Sequence, residues 1–459
     1  MKVLILMGPP GPTSAFNAEL DPYVLVFCAG ATLASGLLFG LAPAWQISRV
    51  DVQGALKIEG RSNTAEGGRQ RLRSLLVVGE TALALTLLVA AGLFIRSFVN
   101  LQRVDPGFDP RGVMTATSFL SSVQYPGGQA QANFYRALLA RLRATPGVTS
   151  AGLGWPLPMG EGGEAGSFEI EGRVLNPSDP PAHGERRFIT PGYMETLTIP
   201  LKRGRYFTDA DRIDAEMVTI IDENLAKQYW PAEDPLGKRL RMGNGAWNTI
   251  VGIVGHVKHS SLATDPGKGV YYFPLYQRSV PYTVIAVKTT GQPSAMSNAI
   301  REAARAADPN HPITALRSME AYVSRSLATR RFGMRLLGFF AGIALFLAAL
   351  GLYGVISYSV TQRTREIGIR MALGAERMTV MKLVVGQGFR LAAIGVAIGI
   401  MAAALAGRFL ESQLFQVSAL DPLTISATAA ALLAAGLLAS YLPARRAVRV
   451  DPAVTLRCD

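Results

Sequence analysis

The chain has 459 residues, of which 49% are hydrophobic and 17% are charged, whereas a typical soluble domain carries about 25% charged residues. Its net charge is +13, but many basic residues flank apolar runs, which indicates membrane topology and disfavours a nucleic-acid-binding surface. Two cysteines, Cys28 and Cys458, are too few for a disulfide framework or a cysteine-rich metal cluster.

The N-terminal residues match the C-terminal residues without gaps, at an offset of 400 positions. Leu20-Asp21-Pro22 recurs as Leu420-Asp421-Pro422, and Arg49-Val50-Asp51 recurs as Arg449-Val450-Asp451. Shared apolar composition does not explain the charged and proline positions, so we interpret the match as an internal repeat. We therefore predict that residues 1–57 are the remnant of a first copy, with only its last span, and that a second copy begins near residue 72.

Five segments contain the roughly 20 mainly apolar residues that a helix needs to cross a bilayer. They are residues 22–43, 74–95, 336–360, 386–407 and 422–442. Two of these spans contain a charged residue, Glu80 and Arg390. An intramembrane charge is a candidate functional group, but both residues lie near predicted cytoplasmic ends. We therefore favour snorkelling or a contact between helices for both.

The distribution of lysine and arginine predicts the orientation of the spans. Basic residues collect in 44–73, 360–382 and 443–459, whereas the opposite short flanks hold only Lys2 and Arg408. The positive-inside rule places the three basic stretches in the cytoplasm. The long region 98–330 is therefore predicted to be extracytoplasmic.

Region 98–330 alternates strand and helix patterns and is predicted to be a folded α+β domain. Strand–helix–strand units are indicated at 113–118, 129–144 and 147–153, and again at 283–289, 293–307 and 312–316. The insert between them is strand-rich, at 250–259 and 270–276. His256 and His259 are three residues apart, but no cysteine or acidic residue stands at ligand spacing, so we predict that they lie at the surface. We find no catalytic set and predict no metal site.

Residues 361–377 connect the third and fourth predicted spans on the cytoplasmic side. As a helix, this stretch would place Ile367, Met371 and Leu373–Gly374 on a small apolar face among arginines. Gly374-Ala375 would permit a close turn or the end of the helix. A basic loop anchored on anionic headgroups is the alternative, but such a loop would not need an apolar face.

The sequence at 365–375 resembles the signature of FtsX-like ABC transporter permeases, the group that includes MacB. The segments 191–194, 200–207, 229–240 and 251–257 resemble the MacB-type periplasmic core domain. The resemblance implies that 361–377 is a coupling helix that docks on a separate ATPase. The residues it marks for this role are Arg365, Glu366, Ile367, Gly368, Ile369, Arg370, Met371, Leu373, Gly374 and Ala375.

The sequence thus predicts a membrane α-helical protein with a large α+β extracytoplasmic domain. Its predicted parts are the remnant 1–57, a cytoplasmic linker 58–73, a transmembrane helix 74–97, the MacB-like core domain 98–330 and the FtsX-like permease domain 331–459. Small residues that let helix backbones approach predict close packing at Gly338, Gly342, Gly395 and Gly399.

The resemblance also implies partners and a location. We expect this chain to carry out no catalysis and to bind no cofactor, whereas ATP and Mg²⁺ would bind to the partner ATPase. The chain is expected to lie in the bacterial inner membrane. A second permease copy is an expected partner, with an adaptor and an outer-membrane channel as possible further ones. The favoured function is export of a hydrophobic, peptide or lipid-linked substrate. A regulatory protein that switches an extracytoplasmic enzyme by mechanotransmission, and an inactive fragment of a tandem permease, remain as alternatives.

Overall fold

The fold is described from a computed structural model of the chain. The structure describes residues 22–30, 32–33, 37, 63–160, 163–173, 180–259, 261–263 and 267–448. The repeat at 20–57 and the predicted span 22–43 lie outside these residues, except for 22–30, 32–33 and 37, which are helical. The described chain divides into two compact units, one formed by 103–328 and the other by the residues before and after it.

Within residues 63–102 and 328–448, the membrane unit has four long helices, one short helix and a 3-10 turn at Glu411–Gln413. The helices are α1 (Asn63–Gln102), α7 (Ala328–Gln362), α8 (Thr364–Ala372), α9 (Arg377–Leu410) and α10 (Pro422–Ala447). The four long ones are each long and apolar enough to cross a membrane. The start of α10 follows from local chemistry. Asp421 accepts a hydrogen bond from the Thr424 amide at 2.9 Å, and Pro422 is the first residue of the helix. Both features favour helix initiation.

The four long helices form a bundle in which α1 packs against α9 and α10. The centre of the bundle is built from small and branched apolar side chains of all four helices. It contains Ala84, Leu85, Val89, Leu93, Ala348, Val396, Ala403 and Leu432. Many large apolar side chains on the outside are exposed, among them Phe339, Phe346 and Met401, as expected for helices that face lipid tails.

The described residues of the extracytoplasmic unit, 103–328, form eleven strands, five helices and one 3-10 turn at Pro293–Ala295. Its strands are β1 (Val113–Phe119), β2 (Val148–Trp155), β3 (Glu164–Ile170), β4 (Ala182–Ile189), β5 (Leu201–Gly204), β6 (Val218–Asp222), β7 (Arg239–Arg241), β8 (Asn248–Val254), β9 (Val270–Pro274), β10 (Tyr282–Thr289) and β11 (Ile313–Ser318). Its helices are α2 (Gly128–Arg143), α3 (Tyr193–Thr196), α4 (Glu223–Tyr229), α5 (Met296–Ala307) and α6 (Met319–Ser326). The α+β prediction is confirmed.

Two strand–helix–strand units, β1–α2–β2 and β10–α5–β11, form one antiparallel sheet in the order β11-β1-β10-β2. This is the split βαβ arrangement. The helices α2 and α5 pack against each other and bury Tyr135, Leu138, Ile300 and Ala304. Both units were predicted from the sequence and are confirmed by these elements.

The insert between the two units closes into a ring of six strands. The order continues through β4, β3, β7, β8, β6 and β9, and β9 pairs in parallel with β4 to close the ring. The strand β5 pairs with β8, and the β2–β4 pairing at Gly154 and Ile189 joins the ring to the first sheet. One hydrophobic core, containing Phe168, Phe188, Tyr271 and Phe273, continues across both parts.

Candidate coupling site

The helix α8 lies in the predicted cytoplasmic connection between α7 and α9. It begins after Arg363, whose φ of −98° and ψ of 11° interrupt the helical path of α7. The Thr364 hydroxyl donates to the Val360 carbonyl at 3.0 Å, and the Ile367 amide donates to the Arg363 carbonyl at 2.9 Å. The two helices are therefore separate elements joined by a hydrogen-bonded corner.

The end of α8 is fixed by Gly374, whose φ is +91°. Its amide donates to the Met371 carbonyl at 3.1 Å, and the Ala375 amide donates to the Arg370 carbonyl at 3.0 Å. These two bonds form the Schellman motif, which ends a helix on a residue in the left-handed region. Glycine adopts that region without the steric cost that a Cβ imposes.

One face of α8 packs onto the membrane helices. Ile367 is 7% exposed and lies in a cluster with Val380 of α9 and with Ala447 and Val448 at the end of α10, with Met371 packed beside it. Gly368 is buried as well. The predicted apolar face was right for Ile367 and Met371 but wrong for Leu373, which is 83% exposed. Six residues of helix rotate Leu373 by about 600°, which leaves it far from the face of Ile367.

The other face of α8 is exposed and carries apolar side chains. Ile369 is 42% exposed, and Leu373 lies one turn later on the same side. Met378, in the first turn of α9, is 60% exposed. Beside them Glu366 and Arg370 form an ion pair at 2.6 Å, with both side chains about half exposed. Ala375 is half-buried, and the side chain of Arg365 lies outside the described part of the structure.

Gly395 and Gly399 lie where α9 crosses α1. A Cβ on Gly395 would stand 2.6 Å from the Thr81 Cβ, and one on Gly399 would stand 2.8 Å from the Ala82 carbonyl oxygen. These two glycines therefore let the α9 and α1 backbones approach closely. Around Gly338 and Gly342 no described atom lies within 4 Å of a built Cβ, so that part of α7 faces outward from the bundle.

The two intramembrane charges lie in different surroundings. Glu80 of α1 contacts Gly351 of α7 and lies in a groove with Leu76, Leu83 and Leu347, so it makes a contact between helices. Arg390 is exposed and lines a cleft near the start of α9 together with Arg363. Lys382, Gly386 and Arg390 line this cleft and are four residues apart, a spacing that places them on one face of α9.

A polar clamp, formed by Arg96, Ser97 and Asn100 of α1, lies at the extracytoplasmic end of the bundle and was not predicted from the sequence. Ser97 of α1 accepts a hydrogen bond from the Phe415 amide at 2.9 Å, and Asn100 donates to the Gln416 carbonyl at 3.3 Å. Arg96 forms an ion pair with Asp421, which caps α10. The connection between α9 and α10 is thereby fastened to α1. The partners are more than 300 positions apart in the chain, and local patterns do not reveal such pairs.

The prediction that His256 and His259 lie at the surface was wrong, since the side chain of His256 is only 15% exposed and His259 is buried. The strand β8 ends at Val254, and five residues later His259 is buried, with 8% of its surface exposed. His256 bonds through Nδ1 to Asp222, a buried carboxylate that also caps α4. Arg187 donates through Nε to His259 Nδ1 at 3.3 Å. Within the described residues no group of three or more His, Cys, Asp or Glu side chains is placed to hold a metal ion.

Two family models match the chain one after the other. The MacB-like periplasmic core domain matches residues 81–306, and the FtsX-like permease C-terminal domain matches residues 338–452. The fold and the order of the two domains therefore define an ABC transporter permease. The chain belongs to the family of FtsX-like, MacB-type permeases, and it is a multi-pass membrane protein with an extracytoplasmic domain.

Curated relatives match at moderate identity. The pyoverdine export ATP-binding/permease protein PvdT of Pseudomonas putida is 27% identical over 274 residues, which cover 58% of this chain and 42% of that protein. The macrolide export ATP-binding/permease protein MacB of Marinobacter nauticus is 28% identical, over 57% of this chain and 41% of that protein. The chain thus spans about two fifths of the length of these relatives.

Solved structures of extracytoplasmic domains match as well. The periplasmic region of MacB from Actinobacillus actinomycetemcomitans aligns over 48% of this chain and 95% of that chain, with 15% identity and a TM-score of 0.33. The extracellular domain of the ABC-type transporter YknZ from Gram-positive bacteria aligns over 44% of this chain, with 18% identity and a TM-score of 0.30.

Proposed function

We propose that this chain is the permease subunit of an ABC exporter. We further propose that a separate cytoplasmic ATPase docks on the exposed face of α8, the face that carries Ile369 and Leu373. The exposed pair Ile369 and Leu373 is the observation that supports this most directly. Two large apolar side chains on one side of a short, capped helix are unfavourable in water and typical of a contact surface. The Glu366–Arg370 pair beside them would add charge selectivity at the rim.

The packing around α8 supports a route for motion. Ile367 joins α8 to α9 and α10, and α9 is joined to α1 through Gly395 and Gly399. Helix α1 continues without interruption to Gln102, where the extracytoplasmic unit begins. Closure of the ATPase would thus move α8, α9 and α1 as packed bodies, because close-packed helices transmit displacement rather than absorb it.

The remaining parts of the proposal follow from the family. The ATPase would bind ATP and Mg²⁺, and this chain would do no catalysis. The exported substrate would be a hydrophobic compound, a peptide or a lipid-linked molecule, by analogy with the export functions in the names of PvdT and MacB. The chain would lie in the bacterial inner membrane beside a second permease copy. An adaptor and an outer-membrane channel would complete the export path.

Site-specific photocrosslinking tests the docking surface. A photoreactive phenylalanine analogue at Leu373 should give a covalent product that contains an ABC ATPase subunit, identified by its peptides. The same analogue at Met371, which faces the membrane helices, is the matched control and should give no such product. Equal products from both positions, or none from Leu373, would contradict docking on this face.

A further inference from the structure

A cleft near the predicted cytoplasmic end of the bundle combines three positive charges with an apolar wall. It has a volume of about 560 Å³ and lies between the corner after α7 and the first turns of α9. Its lining residues are Arg363, Lys382, Leu383, Gly386, Gln387, Arg390 and Leu391. None of them is acidic, and the described residues provide no ion-pair partner for Arg363, Lys382 or Arg390.

The shape of the cleft follows from the spacing of its residues on α9. Lys382, Gly386 and Arg390 are four residues apart, so they form one row along the helix, about 12 Å from end to end. Gly386 lies in the middle of this row, and no described atom stands within 4 Å of a Cβ built on it. The row therefore has a cation at each end and an open, side-chain-free surface between them.

The unbalanced charges indicate an anionic ligand. Three cations around one cavity repel one another, and an anion that binds between them removes this repulsion. A phosphate group suits the site, because guanidinium and ammonium groups are the usual phosphate ligands in proteins. The chemistry is that of a phosphate, from either a lipid headgroup or a free ion.

The apolar wall and the position of the cleft favour the lipid. Leu383 is 44% exposed and lies with Leu391 beside the cations, which a small hydrated anion would not need. The positive-inside rule places this end of α9 at the cytoplasmic leaflet, where anionic phospholipids meet basic pockets between helices. We propose that the cleft binds the phosphate headgroup of an anionic phospholipid, with an acyl chain along Leu383 and Leu391.

Native mass spectrometry of the full chain in a neutral detergent tests this site. A neutral micelle has no charged surface, so retained lipid reports a specific site rather than general attraction. We expect phosphatidylglycerol to be retained at least five-fold more than phosphatidylcholine at equal concentration. Lys382→Gln and Arg390→Gln should each weaken phosphatidylglycerol retention about five-fold, which corresponds to about 1 kcal/mol per charge near the headgroups.

Two further variants separate the cleft from charge alone. Gly386→Leu keeps every charge but fills the open part of the cleft, and we expect it to reduce phosphatidylglycerol retention at least as much as Lys382→Gln. Arg377 is a basic residue at the same end of α9, but it does not line the cleft. Arg377→Gln should therefore change phosphatidylglycerol retention less than two-fold. An unchanged size-exclusion profile establishes that each variant is folded.

Four results would overturn the proposal. One is equal retention of the two lipids. Another is a Gly386→Leu variant that retains phosphatidylglycerol like the parent, and a third is an Arg377→Gln variant that loses as much as Lys382→Gln. Inorganic phosphate distinguishes the source: if it displaces the bound lipid at millimolar concentration, the cleft is a free-phosphate site. The readout is lipid retention, so it does not depend on whether an ATPase docks on α8.

Discussion

At the scale of single residues, Gly374 ends α8 directly after the exposed Leu373. Its φ of +91° is penalised by about 1–2 kcal/mol in a residue with a Cβ. We predict that Gly374→Val loses the two closing hydrogen bonds and reduces permease-stimulated ATP turnover of the co-purified ATPase, while membrane insertion is unchanged. Gly354→Val is the control, because Gly354 lies in α7 with open space around it and no positive φ. Equal turnover in the two variants would contradict a role for this turn.

Charge reversal at Glu366 tests the same surface by a different route. The Glu366–Arg370 pair is exposed, so its loss should cost the fold less than about 0.5 kcal/mol. Glu366→Lys replaces the pair of opposite charges beside the exposed face of α8 with two positive charges. We therefore expect less ATPase to co-purify with this variant. Glu411→Lys, at the opposite end of α9, should leave co-purification unchanged. Normal co-purification of Glu366→Lys would indicate that the rim does not meet the ATPase.

A pH effect is expected from His259. Burial lowers the pKa of His259 well below 6.5, and the adjacent Arg187 lowers it further. Below pH 6.5 the unfolded chain binds a proton that the folded chain does not, so stability is complete above pH 6.5 and falls as the pH decreases. The limit for one group is about 1.4 kcal/mol per pH unit.

The measurement is the pH dependence of the unfolding temperature between pH 7 and pH 5. Tryptophan fluorescence suits it, because Trp155, Trp230 and Trp247 all lie in the extracytoplasmic unit. His259→Gln can keep the contacts to Arg187 and Tyr272 without titrating, so its profile should be flatter than that of the parent. His183→Gln, which alters an exposed histidine, should follow the parent. Parallel profiles for all three proteins would exclude His259 as the source.

At the scale of elements, the crossing of α9 and α1 has no room for side chains larger than glycine. Gly399→Val would place its Cβ 2.8 Å from the Ala82 carbonyl oxygen and 2.9 Å from the Leu85 Cβ. Overpacking of this kind costs about 1–3 kcal/mol, so the detergent-solubilised chain should lose its monodisperse peak at a lower temperature. Gly342→Val makes the same change where space is open and should have little effect. Equal losses would show that valine itself, rather than the crossing, is responsible.

The sequence was sufficient for elements whose pattern is local. The two strand–helix–strand units follow from alternating and helical periods, and the corner at Gly374 from glycine chemistry. The burial of His259 depends on where β8 ends, and the clamp between Ser97 and the loop before α10 joins residues far apart in the chain. Pairings of that kind depend on the three-dimensional arrangement, which a single sequence without an alignment does not specify.

At the scale of the whole molecule, the orientation of the chain can be tested with reporter fusions. We expect fusions after Arg103 and Ala328 to read as extracytoplasmic and fusions after Arg61 and Arg370 to read as cytoplasmic, because the basic stretches remain inside. The Arg103 and Arg61 fusions are controls for each other, since they differ only by passage through α1. A cytoplasmic signal at Ala328 would contradict the proposed arrangement of the second copy.

The extracytoplasmic unit should also fold alone. Residues 103–328 form a compact unit with one continuous core, and such units generally fold independently. We predict a soluble protein with a cooperative thermal transition and no ATP hydrolysis. A matched variant, Leu138→Ala, removes a fully buried side chain and should lower the transition temperature, because the loss costs about 2–5 kcal/mol. A parent without a cooperative transition would show that the unit needs the membrane helices.

The pairing of β1 with β11 determines which mechanical loads this unit withstands. The chain enters the unit shortly before β1 and leaves it shortly after β11, and Met114 pairs with Ser318 at the end of the ladder where both termini emerge. A force that pulls the two termini apart would break the β1–β11 hydrogen bonds one after another, as a zipper opens. A force that moves both termini in the same direction would not stretch these hydrogen bonds. We therefore expect the sheet to move as one body when α1 and α7 are displaced together, and to lose the β1–β11 hydrogen bonds first when they are pulled apart.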